Sequence, residues 1–140
     1  MYRINEGSID LPNDWQDRSI NVIGSNISGP GITMTITRDD IPWGMAFIEY
    51  VDDQARQAAQ ALKDFKVVER RELTVNGHDA VEVECRWVAK QGPIHQIITT
   101  VQNGQRALVL TASVGGKMSE SQMAEMRRIT STLTLDQAGS

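Results

Sequence analysis

Residues 65–114 read "FKVVERRELTVNGHDAVEVECRWVAKQGPIHQIITTVQNGQRALVLTASV". Four runs in this stretch alternate with the two-residue period of a β-strand: 65–75, 78–90, 93–102 and 106–114. Asn76-Gly77 joins the first pair, and Asn103-Gly104-Gln105 joins the last pair. Asn-Gly between alternating runs is the strongest short-range signal for a hairpin, because both residues tolerate the positive φ that a tight turn demands. The stretch therefore predicts an antiparallel meander. In its second strand Val81, Val83, Cys85 and Trp87 share one face, and Glu82, Glu84 and Arg86 share the other.

Upstream, "MYRI", "GSIDLP", "SINVIG" and "ITMTITR" read as further short strands, separated by Pro12-Asn13-Asp14 and by a loop over "SNISGPG". Ile20 and Val22 alternate against Ser19, Asn21 and Ile23, and Thr33, Thr35 and Thr37 alternate against Ile32, Met34 and Ile36. The period then changes. Phe47, Val51, Gln54, Ala58, Ala61, Leu62 and Phe65 recur at three and four, which predicts a helix over about 46–63. Its alanines serve equally as good helix formers or as room for another backbone to approach. A closing helix over "SESQMAEMRRITSTL" opens with Ser119 and Gln122 at capping-box spacing and turns Met123, Met126, Ile129 or Thr130, and Leu133 inward.

These elements make one antiparallel α+β domain over 1–135, a sheet of about seven short strands with two helices burying their stripes against one face. Residues 136–140 form a frayed tail, and the whole segment "TLDQAGS" is expected to fray. At 140 residues the chain buries enough surface to need no metal or disulfide staple. A net charge of −4 argues against nucleic acid or an anionic membrane surface as partner. The pairs Arg70-Arg71 and Arg127-Arg128 read as solvated faces. The N-terminus has no apolar h-region, and nothing approaches the ~18 apolar residues of a membrane span, so direct membrane insertion is not expected. The single Cys85 reads as a buried, inert thiol, consistent with a reducing cytoplasm.

Little here suggests catalysis, and no enzyme activity and no cofactor are expected. His78 belongs to the hairpin turn, and His95 has no Asp, Cys or Ser at a telling distance. Cys85 and the two histidines lack metal-ligand spacing. Asp39-Asp40 ends a strand, and Asp52-Asp53 is the solvent side of a helix. Neither "SNISGPG" nor "SVGGK" has a P-loop or dinucleotide pattern. Trp15, Trp43 and Trp87 are dispersed, and core or loop-anchor roles are expected of them.

The sheet face away from the helices needs a reason to be uncharged. A face left in water should resemble the Glu82 and Glu84 side of its strand, yet Ile20, Val22, Thr33, Thr35, Thr37, Ile94, Gln96 and Ile98 carry no charge. Gln96 interrupts an otherwise apolar ridge, and Gln54 interrupts the helix stripe. The residues alone favour amides that bond within the protein or point to water.

"YRINEGSIDLPNDWQDRSINVI", "ITRDD" before "FIEYVDDQ", "VNGHDAVEVECRW" and "HQIITTV" run in an order that resembles the Eag family, small chaperones encoded beside type VI secretion effectors. That family is similar to the PsbP-like and DcrB-like α+β domains. The most specific part is Leu11, Pro12, Trp15, Asp17, Ser19, Ile20 and Asn21, and the likeness covers nearly the whole chain, weakest over 24–31 and after 113. The resemblance implies a PsbP-like fold and a cytoplasmic homodimer that binds the apolar N-terminal transmembrane helices of a cognate PAAR-containing effector and shields them until loading on the secretion spike. It implies a groove of Ile20, Val22, Thr33, Thr37, Gln54, Leu62 and Gln96, to which Thr35, Ile94 and Ile98 are added on strand phase. On this reading the two amides bond backbone or small polar groups of a bound helix. The alternatives from other classes are a lipid or small hydrophobic-ligand carrier with an enclosed pocket, and an enzyme of unrecognised type.

Overall fold

Asn76 and Gly77 both adopt positive φ, 46° and 85°, and turn the chain so that Val75 pairs directly with His78. This is the two-residue hairpin the Asn-Gly pair predicts. The computed structural model describes residues 1–24 and 31–136. Apart from Gly31, the "SNISGPG" loop falls outside the described residues, as does 137–140 of the expected tail.

The chain order is β1 (Tyr2–Ile4), β2 (Gly7–Ile9), β3 (Asn21–Gly24), β4 (Thr33–Asp40), α1 (Phe47–Ala61), β5 (Lys66–Val75), β6 (His78–Ala89), β7 (Gly92–Asn103), β8 (Arg106–Gly115) and α2 (Glu120–Ser131). The α+β antiparallel class is as the sequence predicts, with eight strands among the described residues where about seven were expected. Six form one antiparallel sheet in the order β3-β4-β8-β7-β6-β5, and β1-β2 is a separate hairpin. The strands of the meander are not short: β6 and β7 each span 12 residues.

The two helices do not share a face, contrary to the expectation. α1 buries Phe47, Tyr50 and Val51 against Val81, Val83, Cys85 and Ala107, with Ile98 and Phe65 beside them. α2 buries Met126, flanked by Met123 and Ile129, against Ile97, Ala112, Val114 and Met118. Ile97 and Ile98 are neighbours on β7, so they lie on opposite faces of the sheet. Both faces of the central strands are therefore covered. That explains why the Glu82 and Glu84 side is not the solvent face: their exposures are 4% and 7%. Glu82 accepts from Arg71 Nη2 at 2.9 Å and from Arg127 Nε at 3.1 Å, which ties β5 and α2 to β6. The two arginine pairs are thus only partly solvated faces. Glu84 takes His95 as partner, Nε2 to Oε2 at 2.8 Å, and His95 Nδ1 accepts from the Met118 amide at 2.8 Å. His95 is 0% exposed, and the carboxylate that sequence spacing failed to offer it comes from the adjacent strand.

Ser119 and Gln122 form the predicted capping box of α2, with Gln122 N donating to Ser119 Oγ at 3.1 Å and Ser119 N to Gln122 Oε1 at 2.9 Å. Past the helix, Leu133 and Leu135 pack against Val75, Ala80, Val101 and Leu110, so the start of the expected fraying segment is docked. Asn76 Nδ2 donates to the carbonyls of Ser131 and Leu133, fastening the end of α2 to the β5–β6 turn. Trp15 and Trp43 are exposed, at 65% and 94%, against the expected core or anchor roles.

Candidate functional site

Residues paired across an antiparallel sheet share a face, so the register assembles the site row by row. One row runs Val22, Thr35, Thr111, Ile98, Val83 from β3 to β6. The next runs Thr33, Ser113, Gln96, Cys85, and a third runs Thr37, Val109, Thr100, Val81. Trp87 and Ile94 begin the row at the β6–β7 end. All four rows lie on the α1 face. The expected strand residues Val22, Thr33, Thr35, Thr37, Ile94, Gln96 and Ile98 are therefore on one side, as their phase predicted, and Ile20 precedes β3 at its edge.

α1 covers this face over β6, over Ile98 and Thr100 of β7 and over the Ala107 end of β8. The Tyr50 hydroxyl donates to Asp39 Oδ2 at 2.7 Å and pins the first turns of α1 to the end of β4. Burial, then the bond to the Asp39 carboxylate, raises the Tyr50 hydroxyl above its ordinary range. Beyond the helix, Thr35, Thr37, Val109, Thr111 and Ser113 are half-buried, and Ile20 and Val22 are 62% and 69% exposed. The result is an uncharged floor of hydroxyls and methyls with α1 as one wall and an apolar edge strand on the other side. Val109, Thr111 and Ser113 are the floor residues that sequence reasoning missed. Their alternation in "RALVLTASV" was visible, but only pairing with β4 placed them beside the threonines.

The two glutamines differ. Gln96 is bonded within the protein: its Nε2 donates to Ser113 Oγ at 2.8 Å and its Oε1 accepts from Trp87 Nε1 at 2.9 Å. This is the internal bonding the residues alone favoured, and it leaves Gln96 one free N–H on a half-buried side chain. Gln54 is exposed on α1, and its side chain makes no hydrogen bond among the described residues. It stands at the edge of a cavity of about 70 Å³, walled by Val51, Ala55 and Ala58 of the helix and by Phe65, Val83 and Ile98. Leu62, at the far end of α1, lies beside Trp87 and Val88. It therefore adjoins the Trp87–Ile94 row at the β6–β7 end, away from Gln54.

Cys85 is 0% exposed at the closed side of the floor, and burial followed by the Glu84 carboxylate pushes its thiol up to about 11. It offers no accessible nucleophile. No group of three or more His, Cys, Asp or Glu side chains that would hold a metal occurs among the described residues, and no described helix is long and apolar enough to cross a membrane.

The sequence motif that ends in Ser19, Ile20 and Asn21 acts at the edge of this floor. Trp15 N donates to the Pro12 carbonyl at 3.1 Å, and the Asp17 carboxylate accepts from the Ser19 amide at 2.9 Å and from the Ser19 hydroxyl. Those bonds, the hydroxyl's foremost, hold the Asp17 carboxyl below the usual range. Tyr2 OH lies 3.3 Å from Ser19 Oγ, and Arg38 donates to Asn21 Oδ1 at 2.6 Å. The motif thus joins the N-terminal hairpin to β3 and sets where Ile20 and Val22 emerge.

Comparison with known proteins agrees with this architecture. A Pseudomonas aeruginosa protein named Effector EagT6 is 34% identical over 89 residues, a match covering 62% of this chain and 62% of that protein. The crystal structure of PA94, a Pseudomonas aeruginosa protein of unknown function, superposes with a TM-score of 0.83 at 24% identity, over 98% of this chain and 96% of that one. The solution structure of cyanobacterial PsbP from Synechocystis sp. PCC 6803 gives a TM-score of 0.51 at 10% identity, over 89% and 94%, so the fold is PsbP-like. The sequence model of the DcrB family matches residues 6–132, and the chain belongs to the DcrB family.

Proposed function

We propose that this protein is a chaperone that binds the apolar N-terminal transmembrane segments of a cognate PAAR-containing type VI secretion effector and shields them before loading on the secretion spike. The likeness to a protein named Effector EagT6 supports an association with such effectors. The observation that carries the binding mode is the uncharged floor beside α1. Hydroxyls of Thr35, Thr37, Thr111 and Ser113 alternate with the methyls of Val22, Val109 and Ile98 on a surface with no Asp, Glu, Lys or Arg in its central rows. A membrane helix presents hydrocarbon with scattered small polar groups, and such a surface receives it without burying an unpaired charge. The free Gln54 amide and the spare Gln96 N–H supply hydrogen bonds to it. The protein acts in the cytoplasm, as a homodimer that encloses one client between two floors, and without enzymatic activity or cofactor.

Native mass spectrometry after co-expression with a PAAR effector carrying N-terminal apolar helices tests this. A retained effector segment on two copies of the chain is the expected result. A retained lipid in its place returns the function to a hydrophobic-ligand carrier, although the cavity under α1, about 70 Å³, is too small for an acyl chain.

A further inference from the structure

All four lysines of the chain, Lys63, Lys66, Lys90 and Lys117, lie at one end of the sheet. Lys63 follows α1, and its carbonyl accepts from the Val88 amide at 2.9 Å. Lys66 opens β5 opposite Arg86, and Lys90 sits in the β6–β7 turn. Lys117 follows β8, where the Gly116 amide donates to the Pro93 carbonyl at 2.8 Å. Three strand spacings separate β5 from β8, so these side chains spring from a strip about 15 Å wide. The segments that meet there, 63–66, 86–94 and 115–120, carry two acids, Asp64 and Glu120. The lysines are exposed, and neither they nor Arg86 make an ion pair or a side-chain hydrogen bond among the described residues. Elsewhere cations are paired within the protein: Arg56, Arg70, Arg71, Arg106, Arg127 and Arg128 each hold a carboxylate. A chain of net charge −4 thus gathers unpaired positive charge at one end and leaves the remainder more negative than the whole.

We infer that this end is a docking surface for an acidic polypeptide segment, whose carboxylates meet Lys63, Lys66, Arg86, Lys90 and Lys117. An extended segment sets alternate side chains ~7 Å apart on one side, a spacing that suits cations spread along such a strip. Lysines this far apart do not converge on one phosphate, and Arg86 adds the planar fork that matches a carboxylate. A flat anionic bilayer also meets the negative remainder of the molecule, whereas a single segment touches the basic end alone. None of the five cations belongs to the floor beside α1, so this surface stands or falls independently of the chaperone reading.

The probe is a labelled Gly-Glu repeat peptide of about twelve residues, long enough to cross the strip, titrated against the full chain by fluorescence anisotropy beside a Gly-Gln repeat. The wild-type chain should bind the Gly-Glu peptide at least tenfold tighter than the Gly-Gln peptide, and raising salt from about 50 to about 300 mM should remove most of that difference. Lys90→Gln with Lys117→Gln should weaken the Gly-Glu peptide about fivefold or more, and adding Lys63→Gln and Lys66→Gln should abolish the preference. Arg at all four positions should keep it. Arg56→Gln with Arg106→Gln makes the same change in net charge away from this end and should leave binding within about twofold. Equal affinity of the wild-type chain for the two peptides overturns the inference, and that arm needs no variant to fold. Equal losses in the two double variants overturn it too, because the effect is then one of net charge. Lysine-dependent binding to phosphatidylserine-containing vesicles, with no binding of the Gly-Glu peptide, also overturns it and makes this end a membrane contact.

Discussion

Gln96 and Ser113 face each other across the β7–β8 pairing, and the amide nitrogen of Gln96 donates to the Ser113 hydroxyl oxygen at 2.8 Å. The same amide accepts the Trp87 indole N–H at 2.9 Å, so one side chain bridges three strands of the floor. Gln54 makes no such bonds. Gln96→Ala should therefore cost about 1–3 kcal/mol of stability, because the Trp87 N–H and the Ser113 hydroxyl lose their partner in a half-buried site. Gln54→Ala should leave the thermal midpoint within a degree and weaken client binding about fivefold to tenfold. Chemical denaturation beside peptide titration checks both. Equal stability losses for the two variants would remove the distinction.

The Glu82 carboxylate is nearly inaccessible and is shared by Arg71 on β5 and Arg127 on α2. Either arginine alone still neutralises it, so Arg71→Met and Arg127→Met should each destabilise by about 1–2 kcal/mol. The double variant leaves a buried, unpaired carboxylate and should lose about 3–5 kcal/mol or more, exceeding the sum. Urea unfolding of the three variants measures the coupling. Strict additivity would mean that the two guanidiniums do not act on one shared charge.

Cys85 adds a pH dependence at the alkaline end. Its thiol is pushed up to about 11 from an ordinary 9.0, so the unfolded chain ionises first. The stability this contributes is complete below pH 9 and is lost as pH rises from there through about 11. Between pH 8 and pH 10 the wild-type thermal midpoint should fall more steeply than that of Cys85→Ala, and below pH 10 Tyr50 stays protonated in both states. A thiol reagent at pH 8 should leave the folded protein unlabelled and modify it on unfolding. Parallel midpoints for the two proteins would show that the thiol does not titrate in this range.

Periodicity alone placed most of the strands and both helices, because alternation and the three-four repeat are local. It also groups Thr33, Thr35 and Thr37 on one side of β4 and Ile94, Gln96 and Ile98 on one side of β7, since phase carries from residue to residue within a strand, and the pairing register brings those sets and Val22 onto one face. What it missed depends on which strand lies beside which. Glu82 and Glu84 look solvent-facing in β6 alone and become buried only when α2 brings Arg127 and β7 brings His95. Gln96 looked unpartnered because Ser113 is 17 residues away and Trp87 lies on another strand. Leu62 shares the helix stripe with Gln54, yet eight residues of helix carry it about 12 Å along the axis, to the Trp87–Ile94 end of the face.

Val22 is the position where folding and binding should separate most cleanly. It sits on the edge strand of the α1 face, directly paired with Thr35, and is 69% exposed, with Ile20 at 62% close by. A carboxylate placed there by Val22→Asp remains hydrated in the free protein, so stability should change by about 1 kcal/mol or less, the lost β-propensity being the main term. With a membrane helix lying on the floor, the same carboxylate is sealed against hydrocarbon at a cost of several kcal/mol, enough to abolish the complex. Val83→Asp in the same row supplies the contrast: that residue is packed under α1, and an acid there should unfold the domain whether or not a client is present. Thermal midpoints of the purified variants, set beside effector levels in cells that express each one, give the answer. The expected pattern is a folded Val22→Asp protein whose effector is lost, beside an unfolded Val83→Asp. A folded Val22→Asp protein that still protects its effector would place the client somewhere other than this floor.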